Sequence, residues 1–145
     1  MKAFVTGSTG LLGNNLVRTL LEAGHEVCAL ARSKEKGRTQ LGDTAARIVI
    51  GDIRNVAEFA YKLKGVDVVF HTAAYFREYY EPGNHSAAVE RTNVTGTTEL
   101  AKAAYAMGIG KMIYQARQAL LAYSPTALLV TNKRLHGAAQ QRISI

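Results

Sequence analysis

The first thirteen residues place the strongest constraint on how this chain can fold. A short apolar run ends at Thr6, and glycines then stand at Gly7, Gly10 and Gly13 while a helical pattern begins near Leu11. Glycine lets the chain turn sharply and lets backbone N–H groups approach an anion without a Cβ in the way. The helix that follows directs the positive end of its dipole to the same place. This strand–loop–helix pattern indicates a dinucleotide phosphate site, with an incidental glycine-rich turn as the alternative.

The hydrophobic pattern beyond this loop predicts alternating helices and strands. Apolar residues recur at helical spacing up to Ala23, and Gly24 is typical of a helix end. Further strands are predicted over 25–31, 46–50 and 66–71, a helix over 55–63, a long helix over 87–107, and a fifth strand from 111. We therefore predict an α/β fold, a Rossmann-like doubly wound parallel sheet in the order 3-2-1-4-5 that is truncated after about the fifth strand.

Composition limits the remaining possibilities. The chain has 145 residues, of which 48% are hydrophobic, enough for one domain with a real core. No apolar run reaches membrane-spanning length and the N-terminus lacks a signal-peptide plan, so we expect a cytoplasmic protein without a membrane partner. The single cysteine, Cys28, falls in a predicted strand and is expected to be a core residue.

The net charge of +7 is divided unevenly along the chain. Residues 1–114 hold 14 basic and 11 acidic residues, whereas 115–145 hold four basic residues and no acid. No aromatic interleaving or recognisable nucleic-acid motif accompanies these charges, so we expect no nucleic-acid partner. The charge marks a change in composition between a domain over 1–114 and an atypical basic tail over 115–145.

The spacing Thr-Gly-x-x-Gly-x-x-Gly at the N-terminus resembles the extended short-chain dehydrogenase/reductase family. This family includes NAD(P)-dependent epimerases, dehydratases and dihydroflavonol-reductase-like enzymes. The resemblance implies a cofactor loop made of Gly7, Ser8, Thr9, Gly10, Leu11, Leu12 and Gly13. It also implies NAD or NADP as the cofactor, and a sugar nucleotide or a carbonyl compound as the substrate of the intact relatives.

The end of the second strand bears on the choice between NAD and NADP. NAD-preferring relatives place an acidic residue there for the ribose hydroxyls, but this chain reads Leu30-Ala31-Arg32-Ser33-Lys34. A guanidinium suits a 2′-phosphate because it offers a planar fork of donors. We therefore predict that Arg32 favours NADP, with Ser33, Lys34 and Arg38 nearby. A solvated basic loop is the alternative.

Further cofactor-site residues follow from the family resemblance. Asp52 with Ile53 matches the segment at the adenine edge, although Asp52 also suits the start of a helix. The segment His71, Thr72, Ala73 and Ala74 looks like the one that lines the cofactor, with a structural turn as the alternative. Asn93 belongs to an Asn-Val-x-Gly-Thr element whose Asn supports the site from within the fold. The aromatic segment from Tyr75 to Gly83 would border the substrate, with Tyr75 or Tyr79 as a clamp or as surface packing.

The resemblance stops near Tyr114. The family continues with a Ser/Thr-rich run and a Tyr-x-x-x-Lys pair, in which Tyr exchanges a proton and Lys lowers its pKa. This chain continues with Gln115-Ala116-Arg117, and none of its seven tyrosines has a lysine four residues on. We expect no catalytic residue and no metal site in the chain. A frameshifted or otherwise aberrant ending is one hypothesis for residues 115–145, and a natural short form with a helical tail is the other.

Three functional interpretations follow. The first is an NAD(P)-dependent oxidoreductase or epimerase/dehydratase by descent, with Tyr and Lys missing from this chain. The second is a dinucleotide-binding or redox-sensing module without catalysis, and the third is a nonfunctional truncated fragment. Loss of later strands would expose apolar surface along the fifth strand, so we also predict marginal stability or self-association through that sheet edge.

Overall fold

The computed structural model describes residues 1–75, 85–116 and the strand at 127–132. The strands are β1 (Lys2–Thr6), β2 (Glu26–Ala31), β3 (Arg47–Ile50), β4 (Val68–His71), β5 (Lys111–Ala116) and β6 (Ala127–Asn132). The helices are α1 (Leu11–Glu22), α2 (Lys34–Leu41), α3 (Ser86–Val89) and α4 (Thr97–Ala106). Short 3₁₀ helices occupy Ile53–Glu58 and Ala60–Leu63, and a π-helical segment, Glu90–Gly96, joins α3 to α4.

The strands form one sheet in the order β3-β2-β1-β4-β5-β6. The first five are parallel, with Phe4 of β1 paired to Cys28 of β2 and to Val69 of β4. Strand β6 joins the edge of β5 and runs antiparallel to it. The predicted doubly wound parallel sheet and its strand order are therefore confirmed, and the sheet gains a sixth strand that the sequence pattern did not predict.

Two apolar layers cover the two faces of the sheet, because successive strand residues point to opposite sides. Phe4 contributes to the layer that includes Phe59 of the 3₁₀ segment and Leu100 of α4. Its neighbours Ala3 and Val5 face the other layer, which contains Val17 of α1. Cys28 is buried in the first layer, as predicted. Helix α1 and the α3–π–α4 helix therefore lie on opposite faces of the sheet.

Three elements differ from the sequence-based expectation. The chain after β2 forms helix α2, whose first turn is capped by the Ser33 side chain accepting a hydrogen bond from the Lys36 N–H at 3.2 Å. The helix expected over 55–63 consists instead of two short 3₁₀ helices. The long helix over 87–107 is present but carries a π-helical segment in its first half. None of the helices in the described ranges is long and apolar enough to span a membrane.

The predicted open edge at β5 is also corrected. Strand β6 pairs with β5 over six residue pairs, from Lys111–Asn132 to Ala116–Ala127. An antiparallel partner takes the backbone donors and acceptors that an edge strand leaves open. Among the described strands, the sheet therefore ends at β3 on one side and at β6 on the other.

Candidate functional site

The glycine loop between β1 and α1 is closed so tightly that side chains would not fit. Gly7 has a φ of 68°, and a Cβ built on it would lie 2.7 Å from the Ala73 backbone nitrogen. A Cβ on Gly13 would lie 2.2 Å from the Gly7 carbonyl oxygen. Both positions therefore require glycine, and their packing brings the start of α1 onto the carboxyl edge of the sheet. Gly10 precedes α1 without a side-chain cap, so the first N–H groups of α1 are available to an anion.

A groove with a volume of about 1000 Å³ runs along this edge of the sheet. Its floor and walls come from the glycine loop, the ends of β2, β3, β4 and β5, and the first turns of the α3–π–α4 helix. The lining residues are Gly7, Thr9, Gly10, Leu11, Leu12, Gly13, Leu30, Arg32, Lys36, Gly51, Asp52, Ile53, Arg54, Thr72, Ala73, Ala74, Tyr75, Ala87, Ala88, Arg91, Thr92 and Gln115. This is the position at which open α/β sheets bind ligands.

The end of the groove beside β2 and β3 is positively charged. Among the described residues, Arg32, Lys36 and Arg54 line it together with one carboxylate, Asp52. The Asp52 carboxylate accepts hydrogen bonds from Arg54 at both oxygens, Nε to Oδ1 at 3.1 Å and Nη2 to Oδ2 at 2.6 Å. These hydrogen bonds, with a smaller contribution from the charge of Arg32, lower the pKa of Asp52. Because the charges of Arg54 and Asp52 balance each other, the net positive charge at this end of the groove comes from Arg32 and Lys36.

Ser8 and His71 are buried below the groove and form hydrogen bonds between the elements that line it. The Ser8 hydroxyl is fully buried and donates to the Leu30 carbonyl oxygen at 2.7 Å, which ties the glycine loop to β2. The His71 ring is also fully buried, with Nδ1 2.5 Å from the Thr6 hydroxyl and Nε2 2.9 Å from the Thr97 hydroxyl. Burial lowers the pKa of His71 to about 4. The neutral ring thus joins β1, β4 and α4 below the site.

Asn93 fixes the segment that follows β4. Its side-chain oxygen accepts from the Tyr75 N–H at 2.7 Å, and its side-chain nitrogen donates to the Tyr75 carbonyl oxygen at 3.2 Å. Asn93 lies in the π-helical segment, where the extra residue changes which side chains face the groove. The amide therefore satisfies both backbone groups of Tyr75 and sets the distance between helix and strand end.

Comparison with known proteins identifies the family. A model described as the NAD dependent epimerase/dehydratase family matches residues 3–116. This range contains every described residue that lines the groove. The chain belongs to this family.

Individual relatives of the epimerase/dehydratase family agree with this assignment. The chain is 34% identical over 129 residues to 3-beta-hydroxysteroid dehydrogenase of Mycolicibacterium neoaurum, which covers 83% of the chain and 33% of the relative. It is 35% identical to 2-alkyl-3-oxoalkanoate reductase of Stenotrophomonas maltophilia, covering 79% of the chain and 32% of the relative. The chain thus spans about a third of the length of these curated relatives.

Solved structures show the same fold. DesIV, a dTDP-glucose 4,6-dehydratase from Streptomyces venezuelae solved with NAD, is 31% identical with a TM-score of 0.65. The match covers 77% of this chain and 38% of the DesIV chain. The yeast methylglyoxal/isovaleraldehyde reductase Gre2, solved with NADPH, has a TM-score of 0.69 at 20% identity. The match covers 79% of this chain and 36% of Gre2. DesIV and Gre2 thus hold different forms of the dinucleotide.

Most residues that the sequence proposed for the cofactor site lie in the groove of this epimerase/dehydratase-family chain. The glycine-loop residues other than Ser8, together with Arg32, Asp52, Ile53, Thr72, Ala73 and Ala74, line it. Ser8, His71 and Asn93 do not line it, because their polar atoms are bonded to Leu30, to two threonines and to Tyr75. Asp52 both lines the groove and caps the first 3₁₀ helix by accepting from the Arg54 N–H at 2.9 Å. Of the aromatic segment only Tyr75 lies within the described residues, and Tyr79 lies outside them.

Several groove residues were not found from the sequence. Lys36 is brought to the groove by helix α2, which the sequence pattern did not predict. Arg54 stands two residues after Asp52, and Arg91 stands two residues before Asn93. Both lie beside residues that the family resemblance assigns to the site, and this proximity is the signal that the sequence offers for them. Neither Ser33 nor Lys34 nor Arg38 lines the groove.

Proposed function

We propose that residues 1–116 form the dinucleotide-binding part of an NADP(H)-dependent oxidoreductase or epimerase/dehydratase. The observation that carries this proposal is the glycine loop, whose backbone and uncapped helix start open into the groove of about 1000 Å³. A pyrophosphate over Gly10 would accept hydrogen bonds from backbone N–H groups and would face the positive end of the α1 dipole. The adenosine would lie toward Asp52 and Ile53, and the nicotinamide toward Tyr75 and Gln115.

A preference for NADP over NAD is supported by the charges at the end of β2. The 2′-phosphate adds a charge of about −2 near the adenosine ribose. Arg32 and Lys36 line the groove there, and among the described residues neither forms an ion pair with a carboxylate. NAD-preferring proteins have an acidic residue at the end of β2 that accepts hydrogen bonds from the ribose hydroxyls. In this chain Ala31 is followed there by Arg32.

The reaction that we propose is hydride transfer between nicotinamide and a carbonyl or alcohol carbon of the substrate. Relatives of this chain are named as a steroid dehydrogenase and an oxoalkanoate reductase, and the similar DesIV as a sugar-nucleotide dehydratase. We therefore propose a carbonyl compound or a sugar nucleotide as the substrate class. The Tyr and Lys that would move the proton are not found as a Tyr-x-x-x-Lys pair among these 145 residues. A second candidate function, dinucleotide binding without catalysis, is favoured by that observation.

Titration of the purified chain with NADPH and with NADH, followed by calorimetry, tests the proposal. We expect saturable binding of both, with NADPH preferred. A cofactor-oxidation assay with carbonyl compounds then tests the second candidate, because turnover by the purified chain would contradict dinucleotide binding without catalysis. Failure to bind either dinucleotide would refute both candidates.

A further inference from the structure

Arg91 lines the groove from the helix that packs on the opposite face of the sheet from α1. It lies in the π-helical segment Glu90–Gly96, and it lines the groove together with Thr92 and with Ala87 and Ala88, one turn earlier. The two alanines carry only methyl groups, so the surface beside the guanidinium stays open. Within residues 1–75 and 85–116, Arg91 forms no ion pair with a carboxylate. A cation without a counterion among the described residues therefore faces the proposed cofactor site.

Two contacts fix the rotation of this helix and thereby the direction of Arg91. Gly96 packs against the first 3₁₀ helix so closely that a Cβ on it would lie 2.8 Å from the Ile53 carbonyl oxygen. One turn earlier, Asn93 is bonded to both backbone groups of Tyr75. With these two residues turned toward the sheet, Arg91 and Thr92 fall on the side that faces the groove.

The position of the helix places Arg91 beyond the carboxyl edge of the sheet. The chain leaves β4 at that edge and returns along the opposite face from α1, where Leu100 and Ala104 of α4 pack on the sheet. The earlier residues, 87–92, therefore stand above the strand ends, across the groove from the start of α1. A group that rests on the glycine loop lies between the α1 N-terminus on one side and Arg91 on the other.

We propose that Arg91 binds the pyrophosphate of the dinucleotide, opposite the backbone N–H groups of the glycine loop. This inference rests on the proposed function and deepens it. Charge-assisted hydrogen bonds from a guanidinium to phosphate oxygens are the strong class of such bonds. Because NADPH and NADH share the pyrophosphate, Arg91 contributes to the affinity for both, whereas Arg32 contributes to the choice between them.

The test compares Arg91→Gln with the wild type in titrations with NADPH and NADH. We expect about 10-fold or greater weakening for both dinucleotides, by the same factor, because one charge-assisted hydrogen bond to phosphate is lost. In competition experiments, the affinity of the variant for ADP should fall by the same factor. Its affinity for adenosine 2′-monophosphate, which has no pyrophosphate, should equal that of the wild type. Arg91→Lys should recover part of the affinity because it restores the charge without the planar fork.

Arg47→Gln is the matched control, because Arg47 is an exposed arginine at the opposite end of its strand from the groove. The control should bind both dinucleotides as the wild type does. Unchanged binding by Arg91→Gln, or weakening confined to NADPH and adenosine 2′-monophosphate, would overturn the inference while leaving the proposed function in place. A wild type that binds neither dinucleotide overturns both, and circular dichroism of each variant confirms that the fold is kept.

Discussion

At the scale of single residues, two kinds of polar side chain surround the groove. Those beneath its floor are buried and saturated: Ser8 bonds to Leu30, and His71 lies between two hydroxyl groups. Among those that line it, Arg54 and Asp52 pair with each other, whereas Arg32 and Arg91 are exposed and lack an ion-pair partner among the described residues. Buried, saturated groups maintain geometry, whereas exposed cations are available to a ligand. This difference separates supporting residues from ligand-binding ones.

Arg32 is expected to determine the cofactor preference. Replacing Arg32 with Ala should lower the affinity for NADPH by about 10-fold or more, because a charge-assisted contact to the 2′-phosphate is lost. The affinity for NADH should stay nearly unchanged. Calorimetric titration of both dinucleotides measures the ratio. Arg38→Ala is the control, since Arg38 is exposed on α2 but does not line the groove. Equal losses for NADPH and NADH would contradict the assignment.

His71 is expected to make stability depend on pH. Its pKa is about 4 in the folded chain against 6.5 ordinarily, so between these values the unfolded chain binds more protons. The stabilising contribution is therefore complete above pH 6.5 and is lost as pH falls toward 4, by about 3 kcal/mol in the free energy of unfolding. Urea denaturation at a series of pH values measures this loss.

The comparison variant is His71→Gln, which keeps a neutral polar side chain and removes the titrating ring. We expect a shallower decline of stability between pH 6.5 and 4, whatever the absolute stability of the variant. His25→Gln controls for the removal of a histidine elsewhere in the chain. An unchanged slope in His71→Gln would show that other groups cause the decline.

At the scale of secondary-structure elements, the site depends on how closely two helices approach the strand ends. Helix α1 approaches through Gly13, which contacts the Gly7 carbonyl, and the α3–π–α4 helix approaches through Gly96, which contacts Ile53. Each approach brings one wall of the groove to the carboxyl edge of the sheet. The π-helical segment then turns Arg91 and Thr92 toward the groove while Asn93 holds Tyr75.

The docking of α1 can be tested at Gly13. Gly13→Ala places a Cβ 2.2 Å from the Gly7 carbonyl oxygen, so helix and loop must separate. We expect a loss of about 1–3 kcal/mol in the free energy of unfolding, as for other overpacked sites. NADPH affinity should also fall, because the phosphate-binding N–H groups move. Asn15→Ala, at an exposed position of the same helix, should leave both quantities close to the wild type.

At the scale of the whole molecule, the described ranges form one sheet with a layer of helices on each face. The two apolar clusters share the sheet residues by alternation, so neither layer is independent of the other. Strand β6 occupies the edge of β5, where the sequence pattern predicts an open edge and self-association. Self-association through that edge accordingly requires that β6 be displaced or removed.

Deleting residues 117–145 is expected to expose the β5 edge. The truncated chain should associate in a concentration-dependent way and unfold over a broader range, because unpaired strand edges pair with other chains. Sedimentation velocity at several concentrations and thermal unfolding measure these effects, with the full chain as the control. If the truncated chain stays monomeric and unfolds as sharply as the 145-residue chain, β6 contributes little to protecting the β5 edge from association.

Much of the fold could be predicted from the sequence because local patterns specify it. Apolar periodicity located β1, α1 and the parallel strands, and the three glycines located the loop, since no other residue fits Gly7 and Gly13. Helix α2 was missed because its polar sequence carries only a weak apolar pattern. Strand β6 was missed because it pairs antiparallel with β5, the strand that precedes it in the chain, whereas the pattern expected beyond β5 was the alternation of helices and parallel strands.

The sequence by itself determined the parallel sheet, the glycine loop and the basic residue after β2. Only the tertiary structure decided which side chains face the groove. Ser8 and His71 belong to segments assigned to the cofactor site yet are bonded inside the fold, as the family resemblance implies for Asn93. Lys36, Arg54 and Arg91 line the groove without having been assigned to it. The physical reason is that side-chain direction depends on helix packing and on the π-helical segment, which are set by contacts between elements.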